Sequence, residues 1–112
     1  MVFAATFPIL PGKSDRVRNF EKEVAPHRAE WDRLSHAGTF RFYNVYLSSL
    51  PIGDFAIYVF DVQDPSKAGR PFTDSPHDTW WTGFFKDVHG ADLRELRPEQ
   101  MAPPPLCFGW KA

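Results

Sequence analysis

The chain has 112 residues, 43% hydrophobic and 24% charged, which is the length and composition of one globular domain over residues 1–112. Its formal net charge of −1 argues against nucleic-acid binding, which needs a basic surface, and gives no attraction to an anionic membrane. A single cysteine, Cys107, excludes an intrachain disulfide, and the N-terminal segment lacks the basic start of a signal peptide. We therefore expect a cytoplasmic protein.

The first predicted strand covers residues 2–9 and leads into a kinked helix. Leu10-Pro11-Gly12 ends the strand, and Ser14 is a suitable N-cap for the helix. Apolar side chains then recur at helical spacing, at Val17, Phe20, Val24, Trp31 and Leu34. Pro26 lies inside this pattern and removes one backbone hydrogen bond, so we expect a kink near the middle of the helix and an end at Gly38.

The second predicted helix begins at Ser75. Ser75 as N-cap, Pro76 at the first helical position and Asp78 at the third form a strong start signal. We expect this helix to run to residue 88 or 89 and to end at Gly90. Its inner face is predicted to carry Trp80, Trp81, Phe84 and Val88.

A hairpin and a final strand complete the predicted sheet. Residues 39–47 and 55–62 are rich in aromatic and β-branched side chains, and turn residues separate them, which predicts an antiparallel hairpin. Residues 106–110 predict a last strand after a proline-rich loop. The order β-α-β-β-α-β is that of the α+β ferredoxin-like sandwich, in which a four-stranded antiparallel sheet carries both helices on one face.

Both faces of the predicted sheet are apolar, which predicts a homodimer. One face of the second strand carries Phe40, Phe42, Asn44 and Tyr46, and the other carries Arg41, Tyr43, Val45 and Leu47. The third strand is apolar on both faces, and two helices cover only one of them. A second copy packed on the open face removes the exposed patch. The alternatives are that the loop at residues 91–104 covers this face, or that its tyrosines stand partly in water.

Helical phase singles out two of the four histidines as candidates for chemistry. At 100° per residue, His27 and His77 face the space between the helices and the sheet, His89 points away, and His36 lies at the end of its helix. A neutral His77 in the first turn of a helix is suited to act as an acid or base. The alternatives are that His77 packs or caps at the helix start, and that His27 satisfies a carbonyl released by the proline.

Aromatic side chains are the candidate walls of a pocket for a small hydrophobic or aromatic molecule. The predicted substrate-binding residues are His27, Trp31, Tyr46, Tyr58, Trp81 and Phe84. Tyr43 and Tyr46 lie on opposite faces of one strand, and parity alone does not decide which of them faces the pocket. The alternative is that the tryptophans and Phe84 are core residues. No ligand spacing supports a metal site, and Cys107 is predicted to be an inert core thiol.

The chain resembles the dimeric α+β barrel superfamily, which includes antibiotic-biosynthesis monooxygenases and small polyketide cyclases. Within it, the chain is most similar to a group of small bacterial proteins. The resemblance lies in Ile9-Leu10-Pro11-Gly12-Lys13 and in the stretch from Trp81 to Val88-His89-Gly90-Ala91-Asp92-Leu93. It implies a pocket without metal or organic cofactor, and it puts His77 where some relatives have an acid or base.

Two kinds of function follow from these expectations. The first is a cofactor-independent monooxygenase or cyclase acting on an aromatic or polyketide-like substrate, with His77 as the acid or base. The second is a non-catalytic ligand-binding or structural dimeric module. A core closed by Trp31, Trp81 and Phe84 argues against both an enzyme and a ligand-binding protein with its pocket there, which leaves a purely structural dimer. Fold resemblance alone does not give the function.

Overall fold

The computed structural model describes residues 1–67, 79–95 and 106–112. Within these ranges it is an α+β structure with a three-stranded antiparallel sheet. The strands are β1 (Val2–Pro8), β2 (Phe40–Leu50) and β3 (Gly53–Val62), and the helices are α1 (Ser14–Arg18), α2 (Phe20–Val24), α3 (Arg28–Ala37) and α4 (Trp80–His89). Among the described residues, no helix is long and apolar enough to cross a bilayer.

The sheet has the order β1-β3-β2, and β2 and β3 form the predicted hairpin. Tyr58 on the central strand lies opposite Ala5 on one side and Val45 on the other. The strand predicted at residues 106–110 is not formed in the single chain, because residues 106–112 are described without a strand. Alternating apolar side chains suit a strand, but a strand forms only where another strand pairs with it. Within the described ranges the sheet therefore stays open at β1.

The first predicted helix is helical in four consecutive pieces. The kink predicted at Pro26 is confirmed, since the 3₁₀ turn Ala25–His27 separates α2 from α3. A second break, at Asn19 (φ −94°, ψ 17°), separates α1 from α2 and was not predicted. The apolar stripe expected from the spacing still faces the core: Val17 and Leu34 are buried in it, and Phe20 and Trp31 pack against it.

The second predicted helix ends as expected but starts later. Gly90 takes the left-handed conformation (φ 71°) that ends α4. Its N-cap is Thr79, which is extended (φ −78°, ψ 147°) and whose side chain accepts the Thr82 N–H. The predicted start at Ser75 is therefore wrong for this helix, since extended backbone at residue 79 interrupts any helix before it. The helical phase given to His77 loses its basis, and His77 itself lies outside the described residues.

A β-bulge changes which side chains of β2 face the helices. The register of β2 against β3 shifts between Phe40 and Phe42. Phe40 lies opposite the fully buried Val62 and its ring contacts Tyr43, so it faces the helices. The predicted grouping of Phe40 with Phe42 is wrong, because the extra residue of a bulge reverses the alternation beyond it.

The core lies between the sheet and the helices. Its largest fully buried side chains come from the central strand and from α4: Tyr58, Val62, Phe84, Phe85 and Val88. The opposite face is uncovered in the described chain and exposes large side chains such as Val2, Phe42 and Tyr46. We call this surface the open face. It has the apolar character predicted from the strands.

Candidate functional site

The structure brings five of the seven candidate residues to the helix-facing side of the sheet. Tyr58, Trp81 and Phe84 are buried core residues, whereas Trp31 is half-buried at the edge of the core. His27, also half-buried, stacks on Trp80 with ring centroids 5.3 Å apart. Tyr46 is 52% exposed on the open face, away from this group. The seventh residue, His77, lies outside the described residues.

Aromatic rings fill the space where a pocket was expected. Trp31 meets the edge of Trp81 at 5.3 Å between ring centroids, and Trp81 stacks on Phe84 at 5.8 Å. Phe20 joins them, with its ring 5.2 to 6.0 Å from four neighbours: Trp31, Trp80, Trp81 and Phe84. These edge-to-face and stacked contacts are favourable packing. Around Trp81 and Phe84 the residues that the structure describes therefore form a closed core rather than a deep binding pocket.

A group of half-buried aromatic side chains lies beside this closed core. It consists of Trp31, Phe40, Tyr43 and Phe60, which we call the aromatic rim. Tyr43 is its centre: it stacks on Phe60 at 5.4 Å, meets the edge of Trp31 at 5.1 Å and contacts Phe40 at 5.4 Å. The β2 bulge builds the rim, because it turns Phe40 to the same face as Tyr43.

The hydroxyl of Tyr43 is a polar group of the aromatic rim that no described residue engages. No hydrogen bond joins it to any residue in the described ranges, and it is not among buried atoms lacking a partner, so it reaches solvent. Burial of the ring raises the pKa of Tyr43 well above its usual value, because the phenolate is poorly solvated there. The group is therefore a neutral hydrogen-bond donor at physiological pH. Strand parity left Tyr43 and Tyr46 as alternatives, and the structure places Tyr43 with Trp31 and Trp81.

His89 is a buried residue that helical phase misplaced. It was expected to point away from the core, but it is only 8% exposed, and its Nε2 lies 2.6 Å from the hydroxyl of Tyr58. Its Nδ1 lies 2.7 Å from the carbonyl oxygen of Pro8. The detectable signal was the spacing of four from Phe85, whose ring lies 4.6 Å from the imidazole.

The partners of His89 determine its tautomer. A carbonyl oxygen only accepts, so Nδ1 carries the hydrogen and donates to Pro8. Burial lowers the pKa of His89, although the Pro8 carbonyl opposes this, so the ring is neutral and Nε2 accepts from the Tyr58 hydroxyl. Burial likewise raises the pKa of Tyr58, which keeps its proton. Both ring nitrogens are engaged, so this pair joins the end of β1, the central strand and α4.

Charged side chains attach α1 and α3 to α4. The Arg16 guanidinium contacts the carboxylates of Glu23 (2.6 Å) and Asp87 (2.8 Å) and lies over the Phe84 ring. The hydrogen bond from Arg16 is the largest factor that lowers the pKa of Asp87. The carboxylate of Glu30 accepts the first two N–H groups of α4, at 3.3 and 3.4 Å. These contacts orient α4. Among the described residues, no three His, Cys, Asp or Glu side chains converge as a metal site.

Comparisons of the chain with family models, with curated proteins and with solved structures find no match. Of the resemblance drawn from sequence, the structure supports the α+β architecture, with helices packed on an antiparallel sheet.

Proposed function

We propose that this chain is a homodimeric binding protein for a small aromatic molecule, held at the aromatic rim in a dimeric α+β barrel arrangement. The observation that carries this proposal is the Tyr43 hydroxyl, a neutral donor among aromatic rings that no described residue engages. Flat apolar molecules gain from stacking on such rings, and a single polar group then fixes their orientation. The ligand class that fits is an aromatic molecule with a carbonyl or similar acceptor oxygen.

The closed core favours the non-catalytic alternative for this site. Trp81 and Phe84 are fully packed, which leaves the shallow, half-exposed rim as the surface where a ligand can stack. Catalysis as a cofactor-independent monooxygenase or cyclase, with His77 as acid or base, stays a prediction. The rim supports only the binding part of that function.

The homodimer is supported by the open face. Val2, Phe42 and Tyr46 are exposed there in a single chain, and monomeric proteins rarely leave a large apolar patch in water. A second copy related by a two-fold axis covers the patch on both chains at once.

Proton NMR of the tryptophan indole groups tests the ligand proposal with two matched probes. 2-Acetylnaphthalene has an acceptor oxygen that 2-ethylnaphthalene of similar shape lacks. We expect the acetyl probe to bind more tightly and to shift the Trp31 signal. Tyr43→Phe should weaken its binding about 3- to 10-fold, the effect of one hydrogen bond of about 0.5–1.5 kcal/mol, and leave the ethyl probe unchanged.

Tyr46→Phe is the matched control, because it also removes a tyrosine hydroxyl, but from the open face rather than from the aromatic rim. The ligand proposal fails if neither probe shifts the Trp31 signal, or if the Tyr43 and Tyr46 variants bind the acetyl probe equally well. Sedimentation velocity tests the dimer: Tyr46→Glu should give a monomer, whereas Ala29→Glu on the exposed side of α3 should not. A wild-type chain that sediments as a monomer refutes the homodimer.

A further inference from the structure

The C-terminal residues Leu106–Trp110 carry a strand pattern that the described chain leaves unused. Leu106, Phe108 and Trp110 alternate with Cys107 and Gly109, so the three large side chains share one face of an extended strand. They are 84%, 81% and 76% exposed. Three large apolar side chains in water at two-residue spacing are the mark of a strand without its sheet.

The outer edge of β1 offers backbone groups that such a strand needs. The Met1 carbonyl accepts the Val62 N–H, and the Ile9 N–H donates to the Asp54 carbonyl, each at 2.9 Å, so both groups point toward β3. Along an antiparallel strand, residues that bond to one neighbour alternate with residues that point to the other. The N–H and C=O groups that point away from β3 therefore belong to Val2, Ala4 and Thr6.

This edge has a defined end. Pro8 has no N–H, and its outward carbonyl accepts from His89, so pairing beyond Thr6 is blocked. The usable edge, residues 2–6, is five residues long and matches the five residues of Leu106–Trp110. Within the described ranges, no strand pairs with this edge.

We propose that Leu106–Trp110 of one copy pairs as a fourth strand with the outer edge of β1 in a second copy of this chain. This exchange rests on the proposed homodimer and names the segment that completes it. In the single chain, Leu106, Phe108 and Trp110 are exposed and the segment is not part of the sheet. A second copy presents the same outer edge of β1, and a strand added at that edge extends the sheet whose open face the dimer covers.

The exposed area of the segment also favours the exchange. Leu106, Phe108 and Trp110 expose roughly 400–500 Å² together, since a large side chain presents about 150–250 Å². A stable interface buries about 800 Å² on each partner, so the segment supplies about half of that area.

Disulfide trapping tests the exchange, because Cys107 is the single cysteine of the chain. One chain keeps Cys107, and a second carries Cys107→Ser with one new cysteine on β1. The new cysteine is placed in turn at positions on both faces of the strand: Val2, Ala4, Ala5 and Thr6. The two chains are mixed, allowed to exchange, oxidised with copper phenanthroline and run on a non-reducing gel. Ala29→Cys on α3 is the control for random collision.

We expect a disulfide-linked dimer from at least one β1 position at a yield at least fivefold above the Ala29→Cys control. The exchange is refuted if no β1 position exceeds that control. It is also refuted if a chain carrying both cysteines forms only an internal disulfide, since the segment then pairs within its own chain. Sedimentation separates the two failures: a dimer without cross-links refutes the exchange alone, whereas a monomer refutes the homodimer as well.

Discussion

The Tyr58–His89 hydrogen bond is predicted to be a main polar anchor between the sheet and α4. Tyr58 is 1% exposed and its hydroxyl lies 2.6 Å from Nε2 of His89. Tyr58→Phe keeps the ring packing and leaves Nε2 buried without a donor, because Nδ1 stays with the Pro8 carbonyl. An unsatisfied buried polar group costs about 1–3 kcal/mol, so we expect Tyr58→Phe to lower the free energy of unfolding by about 2 kcal/mol.

Urea denaturation followed by circular dichroism measures this loss. With a slope of about 1.5 kcal/mol per molar urea, a loss of about 2 kcal/mol lowers the midpoint by roughly 1.3 M. Tyr43→Phe is the control: it removes from the same sheet a hydroxyl that no described residue engages and should change the midpoint little.

A double-mutant cycle separates the hydrogen bond from general packing. In a His89→Leu background the imidazole is gone, so the added change Tyr58→Phe should cost little, with a coupling energy of about 1–2 kcal/mol. The reasoning is refuted if Tyr58→Phe costs the same in both backgrounds, or less than about 0.5 kcal/mol in the wild-type chain.

Three further predictions concern pH and the ends of α4. Because burial lowers the pKa of His89 in the folded chain, the unfolded chain binds its proton more readily. The free energy of unfolding should therefore fall as the pH drops below about 6.5, the pKa of histidine in the unfolded chain, and level off below the pKa in the folded chain. In His89→Gln the urea midpoint should change less with pH over this range. Glu30→Gln should lower the free energy of unfolding by about 0.5–1 kcal/mol by removing a carboxylate from the α4 N-terminus, and equal urea midpoints would contradict this. Gly90→Ala should lower the free energy of unfolding by about 1–2 kcal/mol, because residue 90 has a left-handed backbone. Gly83→Ala lies inside the helix with open space around it and should raise the free energy of unfolding by about 0.5–1 kcal/mol. Urea midpoints that shift in the same direction in both variants would contradict this pair of predictions.

Sequence predictions were reliable where a single residue type constrains the backbone in one way, as proline and glycine do. Pro26 cannot donate a hydrogen bond, and the helix changes to a 3₁₀ turn there. Gly90 tolerates the left-handed conformation, and α4 ends on it. The hairpin likewise followed from two β-rich runs close together in sequence. Each of these features depends on a few neighbouring residues, so the sequence contains the information.

Features that depend on an exception to periodicity were not predictable in the same way. The bulge before Phe42 reverses one side chain, and Phe40 thereby joins Tyr43 in the aromatic rim. The extended Thr79 starts α4 after the favourable Ser75-Pro76 signal, because its own side chain caps the helix. A single shifted residue in a strand or a helix start changes every face assigned beyond it. The candidate residue His77 was chosen from such a phase, whereas strand parity left Tyr43 and Tyr46 undecided.

His89 shows why a perturbed titratable group was not the place to look for binding. Its two partners, Pro8 and Tyr58, lie 81 and 31 positions away in sequence, so the spacing from Phe85 could indicate its burial but no local pattern indicated its partners. Once folded, both ring nitrogens are occupied and the side chain has no remaining capacity to bind a ligand. Tyr43 is the opposite case: burial raises its pKa, yet its hydroxyl bonds to no described residue. A polar group beside aromatic rings that no protein residue engages indicates a binding surface better than a shifted pKa does, because its hydrogen bond remains available to a ligand.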